Sequence, residues 1–155
     1  MSAAQAVAVD LRDLTPFDAD EVIAIDALHT GEHKPDYWRR VLTEFIPPSE
    51  GDRKVGIAAV SGGRIVGYLL GEVRAFEFGS EACGWIFSVG VDPELTRGGV
   101  ASELLGEASR RFRSAGVTTV RTMVRRADVP VLSFFRARGF VGGSFYQLER
   151  DLEED

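Results

Sequence analysis

The sequence is poor in the features that mark secreted, membrane-bound and metal-binding proteins. It has one cysteine, Cys83, which excludes an intrachain disulfide and gives no reason to expect a cysteine-based metal site. No apolar run approaches the roughly 18 residues that a transmembrane helix needs. The opening residues, MSAAQAVAVD, lack the basic start and long apolar core of a secretory signal. We therefore expect a reduced, cytoplasmic setting, with no membrane contact and no bound metal.

Basic residues are also in the minority, with 18 Lys and Arg against 24 Asp and Glu, which gives a formal net charge of −6. Nucleic acid rewards a basic surface, so we do not expect it as a partner. The negative balance suits a cationic substrate such as an amine, although it serves solubility equally well. The chain of 155 residues is 45% apolar and 27% charged. These values, and the lack of a repeat or linker, predict a single domain over residues 1–155.

Hydrophobic periodicity and turn residues predict an alternation of strands and helices. The predicted strands are 6–11, 54–60, 64–75, 85–91, 118–124 and 141–148. The predicted helices are 16–30, 35–46, 102–115 and 129–138. The order is therefore β-α-α-β-β-β-α-β-α-β. It predicts an α/β (α+β) sandwich, in which a mixed, mostly antiparallel central sheet carries helices on both faces.

The segment from Val91 to Ala101, VDPELTRGGVA, carries the clearest sign of chemistry. A strand that reads as buried ends there, two glycines follow, and a helix begins at once. Glycine lets backbone amides approach a ligand closely. The first turn of a helix adds N–H groups without intrahelical partners and the positive end of the helix dipole. The segment predicts an anion site suited to a pyrophosphate, and a tight corner with glycines needed only for packing is the alternative.

Two motifs together resemble the GNAT superfamily of acetyl-CoA-dependent N-acetyltransferases. The first is a strand ending in V-x-P, followed by R/Q-x-x-G-x-G/A at a helix start. The residues that match it are Val91, Pro93, Gly99 and Ala101. The second motif, roughly N-x-x-A-x-x-F-Y-x-x-x-G-F, corresponds to residues 128–140, one helix and one strand further on. The element order agrees over nearly the whole chain, and residues 144–152 look loosely like the branch that modifies protein N-termini or lysines.

The resemblance implies an enzyme that transfers an acetyl group from acetyl-CoA directly to a primary amine on a peptide or a small molecule, without a metal. Acetyl-CoA would lie in a V-shaped opening between the strand that ends near Val91 and the strand 118–124. The turn would hold the pyrophosphate, and the first strand would pair with the pantetheine. The implied cofactor-binding residues are Ser88, Val89, Val91, Arg97, Gly98, Gly99, Val100, Ala101, Asp128 and Phe135. The protein would act as a monomer or a homodimer.

The general base is not fixed by any motif. Glu72 and Glu81 are candidate bases, because both lie in regions where the bases of similar enzymes often fall. His29 and His33 lie between the first two predicted helices, where similar enzymes shape the acceptor site. A histidine pKa near 6.5 suits a base, but each of these four residues also reads as an ordinary surface or loop residue.

The general acid is the clearest departure from the family pattern. Phe135 stands where the family often has a tyrosine, and phenylalanine has no proton to transfer. Tyr146, in the last predicted strand, is the candidate replacement. The missing tyrosine also favours an alternative function, an acyl-CoA-binding regulatory module with the same fold and little or no turnover.

Overall fold

The computed structural model describes residues 6–46, 53–75 and 79–154. The chain divides into two compact units, Met1–Thr122 and Met123–Asp155. The strands are β1 (Asp10–Asp13), β2 (Lys54–Ser61), β3 (Arg64–Arg74), β4 (Cys83–Val91) and β5 (Val120–Thr122). The helices are α1 (Ala19–Thr30), α2 (Pro35–Phe45), α3 (Val100–Ser114) and α4 (Val129–Ala137). All of these elements except α4 belong to the first unit, and the prediction of a single domain over residues 1–155 stays a prediction.

The sheet of the first unit follows the order of the chain, β1-β2-β3-β4-β5. The pairs β1–β2, β2–β3 and β3–β4 are antiparallel. The pair β4–β5 is parallel, because α3 carries the chain back across the sheet between them. The predicted mixed, mostly antiparallel sheet is therefore confirmed.

Helices cover both faces of this sheet. Tyr68 and Leu70 of β3 belong to the same buried cluster as Trp38 of α2. A Cβ on Gly71, the next residue of β3, would instead approach the Phe112 ring of α3 at 3.1 Å. Because neighbouring residues of a strand point to opposite faces, α1 and α2 cover one face and α3 covers the other. We call the α1 and α2 side the front face and the α3 side the back face.

Local sequence explains why the two front helices begin and end where they do. Gly31 ends α1 with a φ of 78°, a left-handed conformation that favours glycine. Pro35 opens α2, where its missing N–H is not needed. Trp38, Val41 and Leu42 are spaced three and four residues apart on α2, and all three are buried. The apolar stripe that predicts a helix is thus the stripe that packs on the sheet.

The entry to α1 is held by a buried carboxylate. Asp18 ends a single 3₁₀ turn, Pro16–Asp18, that precedes the helix. Its Oδ2 accepts the Thr15 N–H at 2.8 Å and an N–H of Arg12 at 2.8 Å. Burial alone would raise the pKa of Asp18, but the hydrogen bonds from Arg12 and Thr15 outweigh it and lower the pKa.

Three strand predictions in the first unit were wrong at their ends, and β4, predicted over 85–91, begins at Cys83. The first strand covers Asp10–Asp13 rather than 6–11. Upstream of it, the N–H of Val7 donates to the carbonyl of Gly98 at 2.9 Å instead of joining β2. The fifth strand is shorter than the predicted 118–124, because its pairing with β4 stops early. Pro47 and Pro48, which directly follow the second predicted helix, lie outside the described residues.

The second unit contains α4, which matches the prediction to within one residue. The predicted strand 141–148 is wrong, since those residues form neither helix nor strand. Alternating apolar residues favour a strand, but only a ladder of backbone hydrogen bonds makes one. Across the three described ranges of the chain, we find no helix with both the length and the apolar character that crossing a membrane requires.

Candidate active site on strand β4

Strand β4 carries one residue more than its partner. Leu70 of β3 lies opposite Ser88, and the next residue, Gly71, lies opposite Ile86. Phe87 is therefore left without a partner on β3. Such a β-bulge bends the strand and increases its twist, and it redirects the side chains that follow.

The bulge coincides with the point where β5 leaves β4. Their parallel ladder ends with Ile86 opposite Thr122. The Thr122 hydroxyl closes it by donating to the Ile86 carbonyl at 2.9 Å. Strand β4 runs on to Val91 beside β3, and among the described residues no strand pairs with its other edge there. This open edge lies where the sequence predicted an opening between the two strands.

One hydrogen bond shows which backbone groups of β4 face the open edge. The Asp92 N–H donates to the Val66 carbonyl of β3 at 2.8 Å. Because the C=O and N–H of a trans peptide point in opposite directions, the Val91 carbonyl points away from β3. The register is regular from Ser88 to Val91. By alternation, Val89 and Val91 present their N–H and C=O groups to the open edge, and Ser88 directs its own toward β3.

One of these edge groups already has a side-chain partner. His29, in the last turn of α1, has its Nε2 atom 2.6 Å from the Val91 oxygen. A carbonyl can only accept, so Nε2 carries the hydrogen and donates it. His29 therefore ties the end of α1 to the open edge of β4. His33 is exposed in the loop between α1 and α2.

Beyond β4 the chain turns directly into α3. Asp92 is buried, and its Oδ1 accepts the Glu94 N–H at 3.0 Å. Its other oxygen lies 3.5 Å from Arg64. Gly99 takes a φ of 82°, in the left-handed region, and Val100 starts the helix. The turn therefore needs a glycine at position 99 for its backbone conformation.

The glycines of this turn have different roles. Gly98 donates its N–H to the Leu95 carbonyl at 2.9 Å. A Cβ on Gly98 would overlap the side chain of Val7. Gly98 therefore shapes the turn. The N–H groups at the start of α3, which lack intrahelical acceptors by helix geometry, include those of Gly99, Val100 and Ala101. Arg97 is exposed beside them, and the positive end of the α3 dipole favours an anion at this position.

Of the two candidate bases, Glu72 lies beside the bulge. It is opposite Trp85 in the β3–β4 ladder. It is two residues from Leu70 and so lies on the front face. Its Oε1 is 3.4 Å from Nε of Arg74. Glu81 is exposed upstream of β4, outside the strand that carries the bulge.

Tyr68 is a buried polar residue packed against the site-bearing end of β4, and the sequence analysis did not single it out. It is 2% exposed, and its ring makes an edge contact with Trp38 at 5.3 Å. It lies opposite Gly90 of β4, where a Cβ would overlap the Tyr68 ring. Burial and the nearby Asp26 raise the pKa of Tyr68, and a hydrogen bond with Ser88 opposes them less strongly. The phenol therefore stays protonated, and only the pairing of β3 with β4 reveals its position.

The other candidate residues belong to the second unit. Asp128 caps α4 by accepting the Val131 N–H at 3.3 Å. Phe135 is 7% exposed and contacts the ring of Phe134 at 5.1 Å. Tyr146 is 92% exposed. The roles expected of Asp128, Phe135 and Tyr146 stay predictions.

Solved structures with the same fold include several acetyltransferases. The aminoglycoside N-acetyltransferase AAC(6')-Iy, in complex with CoA, is 15% identical with a TM-score of 0.80, over 96% of this chain and 97% of that one. A ribosomal-protein-alanine N-acetyltransferase from Brucella melitensis is 14% identical with a TM-score of 0.73, over 93% of this chain and 100% of that one. A transcriptional regulator from Bacillus halodurans is 19% identical with a TM-score of 0.77, over 94% and 100%.

The sequence itself settles the family. No curated protein matches the chain. The model of the acetyltransferase (GNAT) family matches residues 19–140, which is well over half of the chain and includes both the turn at Gly99 and helix α4. The chain belongs to the GNAT family of acetyltransferases.

Proposed function

We propose that the protein transfers the acetyl group of acetyl-CoA to a primary amine by direct attack. One observation carries the proposal. The bulge at Phe87 opens an edge of β4, and that edge leads straight to the anion-binding start of α3. An extended ligand with a pyrophosphate at one end can be held at both places. Membership of an acetyltransferase family supports the same reaction. We also propose a single catalytic domain over residues 1–155, acting in the cytoplasm as a monomer or homodimer.

The residues on these two surfaces suit the two parts of CoA. On the open edge, the Val89 carbonyl and the Val91 N–H can pair with an amide-containing pantetheine arm as with an added strand. The pyrophosphate would take the N–H groups at the start of α3, with the Arg97 side chain beside it. These N–H groups belong to Gly99, Val100 and Ala101.

The reaction needs two proton movements. Glu72 would accept the first proton from the substrate ammonium, through a water molecule, to give a neutral amine. The amine nitrogen attacks the thioester carbonyl carbon while the Val89 N–H, on the open edge, donates to the carbonyl oxygen. The C–S bond then breaks and the amide forms. The second proton leaves the nitrogen and goes to the CoA sulfur, so the lack of a hydroxyl on Phe135 need not stop turnover.

The test is CoA thiol release from acetyl-CoA with a panel of primary amines. Glu72→Gln should lower kcat by about 100-fold or more and leave the Kd for CoA unchanged. Glu81→Gln is the matched control, and we expect it to keep wild-type kcat. Tyr146→Phe tests the candidate acid in the same assay. Equal kcat values for Glu72→Gln and Glu81→Gln would refute the assignment of the base.

The second candidate function is an acyl-CoA-binding regulatory module, which Phe135 favours. Thermal unfolding separates it from the enzyme. A ligand at about 100 times its Kd stabilises a protein by roughly 2.7 kcal/mol, so acetyl-CoA and CoA should both raise the unfolding temperature. Stabilisation by CoA without thiol release from any amine would support the regulatory module. No stabilisation at millimolar CoA would exclude both functions.

A further inference from the structure

Phe87, the extra residue of the bulge, presents an aromatic side chain at the centre of the proposed site. It is 38% exposed, although its neighbour Ile86 is only 1% exposed. A bulged residue has no opposite partner, so its side chain is free to leave the regular alternation of the strand. The ring therefore stands where the open edge of β4 begins.

A second ring extends this surface. The ring centroid of Phe45, the last residue of α2, lies 4.9 Å from that of Phe87, with the planes tilted by 55°. Because α2 covers the front face, the pair lies on the same face as Glu72. We call Phe45 and Phe87 the aromatic pair. An apolar group of about ring size can contact both members without displacing a buried side chain.

Charged side chains of both signs lie around the aromatic pair. Nζ of Lys54 lies 4.9 Å from the Phe45 centroid and donates to the Glu44 carbonyl at 2.7 Å. Lys54 is opposite Glu72 in the β2–β3 ladder, and Glu72 is itself 3.4 Å from Arg74. Two cations, Lys54 and Arg74, therefore flank Glu72 beside the bulge. A single ammonium can meet that carboxylate, whereas a polycation would also face Lys54 and Arg74.

We propose that the acceptor is a monoamine with an aromatic or branched apolar group next to the amine, and that the aromatic pair selects it. The inference rests on the proposed function and adds its substrate class. The apolar group contacts Phe45 and Phe87, and its amine points toward Glu72. Polyamino sugars, which the similarly folded aminoglycoside acetyltransferases modify, are disfavoured by the flanking cations.

The experiment compares 2-phenylethylamine, ethylamine and the polyamino sugar neamine as acceptors. Wild-type kcat/KM should be highest for 2-phenylethylamine. Phe87→Ala should lower the ratio of kcat/KM for 2-phenylethylamine over ethylamine by about tenfold. Phe87→Leu keeps most of the apolar volume, so it should lower this ratio less than Phe87→Ala does. It therefore shows whether the loss in Phe87→Ala comes from the missing ring contact or from misfolding. Phe17→Ala is the control, because Phe17 is 96% exposed elsewhere in the chain.

A binding measurement keeps this inference separable from the proposed reaction. Calorimetry on CoA-saturated protein should detect 2-phenylethylamine with wild type and lose most of the signal with Phe87→Ala. Ring-dependent binding without turnover would overturn the proposed reaction and support the aromatic pair. Turnover with the same amine ratio in wild type and Phe87→Ala, or a preference for neamine, would overturn the aromatic pair and leave the reaction standing.

Discussion

The turn at Gly99 allows one pair of substitutions that differ in charge alone. Gly99 has a φ of 82°, and a Cβ there would meet nothing within 4 Å. A side chain at this position therefore costs backbone strain and causes no overlap. Asn and Asp tolerate the left-handed region better than other side chains and have the same shape. Gly99→Asn and Gly99→Asp should thus share a strain of about 1 kcal/mol.

The added charge should then act in opposite directions on stability and on binding. A carboxylate at the start of α3 meets the positive end of the helix dipole, which stabilises the free protein by about 0.3 to 1 kcal/mol over the amide. The same carboxylate would repel the CoA pyrophosphate. One pair of like charges at about 4 Å costs about 1 kcal/mol even in bulk water. Two phosphate charges cost about 2 kcal/mol, which corresponds to a roughly 30-fold weaker Kd.

The assay combines thermal unfolding of the free variants with calorimetric titration of each by CoA. We expect Gly99→Asp to unfold at a higher temperature than Gly99→Asn and yet to bind CoA about 30-fold more weakly. A difference in unfolding temperature without a difference in Kd would show only that the added charge interacts with the dipole of α3. Equal Kd values for the two variants would refute the placement of the pyrophosphate at this turn.

Two further predictions concern hydrogen bonds that hold the front face. His29→Ala removes the bond to the last carbonyl of β4 and should lower the free energy of unfolding by about 1 kcal/mol. His29→Gln, whose amide can donate the same hydrogen bond, should keep most of this free energy in urea titrations. Equal losses of unfolding free energy in the two variants would contradict the contact. The pKa of Asp18 is lowered in the folded chain, because bonds from Arg12 and Thr15 outweigh burial. Stability from this lowered pKa is present above the unfolded value of about 3.9 and is lost as pH falls further. In Asp18→Asn, the free energy of unfolding should fall less steeply as the pH is lowered. A dependence on pH as steep as that of the wild type would contradict this prediction.

The elements that the sequence predicted best are those whose ends carry local signals. Gly31 and Pro35 mark the end of α1 and the start of α2, and both lie where expected. Gly99, expected at the turn, adopts the left-handed conformation that explains it. These residues act through their own backbone restrictions, so neighbours far along the chain hardly matter.

The weaker predictions depended on partners distant in sequence. The strand predicted over 141–148 does not form, and the first strand begins at Asp10 because Val7 bonds to Gly98 instead. Alternating apolar residues are compatible with a strand, but they do not determine which strand edge the segment pairs with. The distinction between Glu72 and Glu81 has the same origin, because only the β3–β4 register places Glu72 beside the bulge.

By itself, the sequence determined the mixed sheet with helices on both faces, the glycine turn before α3 and the family to which the chain belongs. These follow from periodicity, from glycine and proline, and from two short motifs, all of which act over a few neighbouring residues. Only the tertiary structure decided where β4 bulges, which of its peptide groups face the open edge, and that His29 and the aromatic pair stand beside it. Each of these depends on how strands far apart in the chain align, and one residue of register changes every contact.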